Sequence, residues 1–177
     1  MLKTHMNEVD HRSIPLRTLC TTATNAINEL LTFSKAGVFD ELTAMEYASY
    51  FQGAILVACQ AYAVGVVSDI NKIREAQGMS PLKKHILYNC MESISIKYSY
   101  VELINALANY FKHNEEWKLW PINSTTKILK YYGIYESTEF PMNFGIMQII
   151  GESNDLRILC EVLETWKACE IRKLDER

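Results

Sequence analysis

The stretch from Tyr47 to Val67 is nearly all apolar, broken by Ser49, Gln52 and Gln60, and few folds can accommodate it. It is long enough to cross a bilayer. Its amide and hydroxyl interruptions, and a remainder too polar to supply further spans, instead predict the central buried helix of a bundle. Thr43-Ala-Met-Glu46 has capping-box spacing and predicts where this helix starts, and helical character persists to about Gln77, before Gly78. Ala54, Ala58, Ala61 and Gly65 recur at spacings of four, three and four, a smooth stripe that would let another helix approach closely. Ile55, Val57 and Tyr62 supply bulk elsewhere around the axis.

Other segments read as shorter helices. Leu16, Leu19, Cys20, Ala23, Ala26, Ile27, Leu30 and Leu31 form an apolar seam ended by Gly37. Ser80-Pro81 predicts a helix start, with Leu82, Ile86, Leu87 and Cys90 as its inner edge. Ser93 to Tyr100 alternates polar and apolar, so an extended segment competes with a continuing helix. Ser99-Tyr-Val-Glu102 is a second capping box, opening a helix that should end near Trp117, where Trp117 and Trp120 lock its end against the core. Asn123-Ser124 caps a short helix through Tyr132, stopped by Gly133. Residues 134–143, with Pro141, read as a loop, and Phe144 to Ile150 as a helical turn. Ser153-Asn154 precedes a last helix with Leu156, Leu159, Val162, Leu163 and Trp166 inward. Residues 1–14 read as a loosely held N-terminal arm and Arg172 to Arg177 as a frayed end. With only seven glycines and four prolines, the expectation is one all-α domain over 1–177, a helical bundle built around a long central helix.

The net charge of −3 offers no basic field for a nucleic-acid backbone, so direct nucleic-acid binding is not expected. The five cysteines are scattered, odd in number and free of C-x-x-C pairs, and four lie in apolar helical patterns. They read as small buried hydrophobes, with no disulfide and no metal site. The polar N-terminus does not resemble a secretory signal, which leaves a cytoplasmic protein with no membrane partner as the expectation. No phosphate-binding, dinucleotide, zinc-protease or nucleophile-elbow pattern occurs, so no cofactor is expected. Glu115 and Glu116 lack the paired E-x-x-H motifs of a di-iron bundle. Gln52 and Gln60 either line a small polar cavity or sit as satisfied amides at helix contacts.

The chemistry concentrates between Asn105 and Trp117. At a helical period Asn105, Asn109, Lys112, His113 and Glu116 share one polar stripe, opposite a seam of Ile104, Leu107, Ala108 and Phe111. As a catalytic group, His113 would exchange the proton, Lys112 would stabilise an anionic phosphate, and Asn109 and Glu116 would orient the ring or substrate. As a binding group, the same residues are a polar contact surface.

The segment Leu107-Ala-Asn-Tyr-Phe-Lys-His-Asn-Glu-Glu-Trp117 resembles a motif of small bacterial helical proteins and the N-x-x-K-H variant of HEPN-type helical domains. That resemblance implies a helical bundle from bacterial conflict systems, many of whose members are metal-independent endoribonucleases. Their usual signature places an arginine four to six intervening residues before a histidine. Here Ala106, Leu107 and Ala108 fill those slots, and no arginine occurs between Arg74 and Arg157. Lys112 cannot replace it, because its direction and its monodentate ammonium both differ. The expected function is therefore a small immunity protein or antitoxin that occludes a cognate protein toxin, a nuclease in the first instance. In profile it is similar to contact-dependent growth inhibition immunity proteins. Acids such as Asp40, Glu41, Glu136, Glu139, Glu152 and Asp155 are available against a basic toxin. The alternative is a HEPN-type endoribonuclease with a non-standard site at Asn109, Lys112, His113 and Glu116. A third is a subunit that forms a homodimer through an apolar helix face.

Overall fold

A computed structural model describes residues 11–89 and 97–175. Among these residues seven α-helices follow one another: α1 (Ser13–Lys35), α2 (Glu41–Ala76), α3 (Lys84–Tyr88), α4 (Tyr100–His113), α5 (Ser124–Tyr131), α6 (Pro141–Ile150) and α7 (Arg157–Asp175). A 3-10 turn (Asn114–Glu116) continues α4. Among the described residues there is no strand, so the protein is an all-α bundle, with α2 as its spine against α1, α4, α6 and α7. Leu56, Cys59, Val66 and Ile70 of α2 are fully buried, against Leu103, Ile104 and Leu107 of α4 and Leu159 and Leu163 of α7.

Helix ends follow local chemistry. After Lys35, Ala76 and Tyr131 the chain turns through Gly37, Gly78 and Gly133, all at positive φ. At each, two backbone N–H groups reach back to the last turn, for example Gly37 to Ser34 and Val38 to Phe33, which satisfies carbonyls that would otherwise be orphaned. Ser99 and Glu102 form the expected reciprocal capping box of α4. Asn123 and Thr126 form another at α5.

Several expectations are corrected. The cap of α2 is Asp40, not Thr43: its carboxylate accepts the Thr43 N–H at 2.8 Å, and a charged acceptor is stronger than a hydroxyl. Ser80-Pro81 does not open α3. Arg74 Nε donates to the Ser80 carbonyl, and the Asn71 amide binds both the N–H and the carbonyl of Leu82, which holds this segment against α2 until Lys84. Pro141 belongs to α6 as its first residue, where a missing N–H costs nothing, and the helix runs from there to Ile150. The last helix continues to Asp175 with Leu174 buried, so Arg172 to Asp175 are not frayed. Ser13 and Ile14 belong to α1; residues 1–10, Cys90 and 91–96, with most of the alternating segment, lie outside the described residues.

The cysteines are less scattered in space than in sequence. Cys20 of α1 and Cys160 of α7 approach to 3.4 Å between sulfurs as free thiols, and Cys59 of α2 is buried beside Cys20. The small-residue stripe is also corrected. Ala54 and Ala61 face solvent, as do Tyr47, Tyr50, Phe51 and Val64, and only half of the most apolar window of α2 is buried. Of the same stripe, Ala58 is half-buried against the core and Gly65 lies under the Arg12 side chain; other close approaches fall outside it. Gly53 lies under the Phe111 ring of α4, and Gly145 of α6 admits Leu107.

Candidate functional site on the fourth helix

α4 runs antiparallel to α2, because Gly53 meets Phe111 while Gln60 meets Asn105. This pairing decides where the polar stripe goes. Gln60 Nε2 donates to Asn105 Oδ1 and to Asn109 Oδ1, both at 2.9 Å, and Lys112 Nζ donates to Gln60 Oε1 at 2.8 Å. One glutamine thus uses both ends of its amide to join α2 to three residues spaced along one edge of α4. Gln52 behaves similarly, donating to Asn143 Oδ1 of α6 at 3.1 Å, although its own Oε1 is buried without a partner. Of the two readings of these glutamines, amides at helix contacts describes Gln60 fully and Gln52 by its donor end.

His113 lies apart from this network. It closes α4 about 100° around the axis from Lys112. Its Nδ1 pairs at 3.2 Å with Glu116 Oε2, which sits on the 3-10 turn rather than on the α-helical stripe. Both side chains are open to solvent. The five residues therefore form two groups, an interhelical amide–ammonium network and an exposed imidazole–carboxylate pair.

A cleft of about 640 Å³ opens beside the end of α4, between Ser49 and Tyr50 of α2, Phe111 and Lys112 of α4, and Phe140 and Met142 at the start of α6. Glu116 also lines it, while His113 and Asn109 do not. Among the described residues no guanidinium lines it. Arg74 is buried and turned onto Ser80, and it lies 21 residues beyond Gly53 on α2, about 30 Å along the axis. Arg157 forks onto Asp155, Arg12 pairs with Asp69 and Arg17 with Glu164.

Below the 3-10 turn, Tyr110, Trp117 and Trp120 pack mutually edge to face or tilted, with ring centroids 5.6–5.8 Å apart. The two tryptophans do anchor the end of the helix. They also carry something that sequence reasoning missed: the turn between and after them presents Leu119 81% exposed and Ile122 91% exposed. Exposed aliphatic side chains on a rigid aromatic base are unlike the ordinary polar loop. The sequence signal was the run Trp117-Lys-Leu-Trp-Pro-Ile122 itself, too apolar for a simple connection.

Comparison of the chain with family models, with curated proteins and with solved structures gives no match.

Proposed function

We propose that the protein is a recognition module, a small immunity protein or antitoxin that binds a cognate protein toxin, a nuclease in the first instance, and occludes its working surface. The observation that carries this reading is the division of the polar stripe. Asn105, Asn109 and Lys112 are committed to Gln60, and the imidazole pairs with a carboxylate and, among the described residues, with no guanidinium. General acid–base chemistry needs its groups to converge on one reacting atom. Recognition needs only a rigid, chemically mixed surface. Lys112, His113, Glu115 and Glu116, bordered by Leu119 and Ile122, form such a surface at one end of the bundle. Exposed apolar side chains beside polar and charged ones are the usual anatomy of a binding surface.

The test is capture of the tagged protein with crosslinking from its own cell, followed by neutralisation of the captured partner's toxicity on co-expression. Leu119→Asp with Ile122→Asp should abolish capture and neutralisation while leaving thermal stability unchanged, because neither side chain is packed. Neutralisation that survives both substitutions contradicts this surface as the interface. The rival reading, an endoribonuclease of HEPN type, draws on the cleft that Lys112 and Glu116 line. It requires that His113 turn toward that cleft when RNA binds.

A further inference from the structure

The outer face of α2 is an exposed apolar surface that the bundle itself does not explain. From Tyr47 to Ser68 the helix carries no charged side chain, yet Tyr50 is 65% exposed and Tyr47, Phe51, Ala54, Ala61 and Val64 are exposed with it. Their angular positions place them on one stripe about 140° wide. Exposed Phe33 of α1 borders this stripe through the edge-to-face chain Phe33–Phe39–Tyr47. With side chains half exposed and aromatics contributing on the order of 100 Å² each, the patch covers roughly 700 Å², larger than the usual largest apolar patch of a monomer.

We propose that a second copy of this chain covers the face, through an antiparallel, two-fold symmetric pairing of α2 with α2. The stripe is self-complementary in that orientation. Its N-terminal half is bulky (Tyr47, Tyr50, Phe51), its middle is smooth (Ala54, Ala58, Ala61), and its C-terminal part carries Val64 and the Arg12 side chain that lies over Gly65. A two-fold axis between Val57 and Ala58 sets Ala54 against Ala61, so that the two smooth middles meet closely. It brings each copy's aromatic end to Val64 and to the Arg12 side chain over Gly65 of the other, an apolar and cation–π match, so the same patch serves both copies. The charges that bound the stripe agree. Glu46 is exposed at one end and Lys72 at the other, and the antiparallel pairing brings Lys72 of one copy to Glu46 of its partner. A parallel pairing would oppose like charges. Two such patches bury about 1,400 Å², within the range of stable specific interfaces. This inference does not depend on the toxin-binding reading, whose surface lies at the end of α4.

Sedimentation equilibrium over a dilution series tests it. The wild type should show twice the 20.4 kDa chain mass at high concentration. Ala61→Glu, at an exposed position without packing partners, should give a monomer with unchanged helicity. Lys72→Glu should weaken association about tenfold, and adding Glu46→Lys should restore it. A wild-type monomer at every concentration overturns the proposal, and vesicle flotation of that monomer would assign the face to a bilayer instead. A dimer that survives Ala61→Glu also overturns it, because a different surface then holds the copies together.

Discussion

Gly53→Ala separates two opposing effects whose balance follows from the geometry. In the middle of a helix, alanine is favoured over glycine by about 0.8–1 kcal/mol. At this position the added methyl would fall 2.1–2.4 Å from three atoms of the Phe111 ring. An ordinary carbon contact is about 3.5 Å or more, so the ring or the α2–α4 pair must give by roughly 1.4 Å. Overpacking of this kind costs about 1–3 kcal/mol, which exceeds the propensity gain by up to about 2 kcal/mol. For a chain of this size that lowers the melting temperature by up to about 8 °C. In a Phe111→Ala background the clash is gone and only the propensity remains. The same Gly53→Ala change should then stabilise by about 1 kcal/mol. Four proteins followed by thermal unfolding complete the double-mutant cycle. An increase in melting temperature on Gly53→Ala in the wild-type background, or an equal effect in both backgrounds, would refute the assigned contact between α2 and α4.

Gln60→Leu removes one amide from three partners, one of them charged, and should cost about 1–3 kcal/mol in urea unfolding; a neutral result would mean that water replaces the network without loss. Asp40 is held below the usual carboxylate range by the Thr43 backbone N–H and then by the Thr43 hydroxyl. A lowered folded-state value means stability that is present above the ordinary value of 3.8 and lost as pH falls through the folded one. Asp40→Asn keeps a cap without the titration, so its melting temperature should drop less than the wild type's below about pH 4, and parallel curves would exclude the cap as a contributor. The contact with Cys160 lowers the Cys20 thiol, but the contact with Cys59 and burial outweigh it and push it up to about 12. Cys20, Cys59 and Cys160 should therefore label with a thiol reagent only at the global unfolding rate, while half-buried Cys169 labels sooner; fast labelling of Cys160 would show an open α1–α7 seam.

Much of this fold can be read locally, because helix ends are set within five or six residues. The Ser99–Glu102 box and the glycines after Lys35 and Ala76 carry their own geometry. Where reading failed, a distant group intervened. Ser80-Pro81 has the form of a helix start, yet Asn71 and Arg74 hold it in another conformation. The face that α2 turns to its neighbours was equally hidden. Alternating large and small residues say that close contact is possible but not on which side, and the contact is made at Gly53 rather than along Ala54 and Ala61. The polar stripe of α4 was visible as a pattern, but its meaning depended on Gln60, forty-five residues earlier than Asn105.

Incubation of the purified protein with total tRNA, beside His113→Ala, addresses the division of that stripe most directly. A polar row spent on joining two helices, with the imidazole–carboxylate pair standing apart from it, predicts intact tRNA from both proteins. Cleavage by the wild type that disappears in His113→Ala would mean that these groups do converge on a substrate, and the recognition reading would fall.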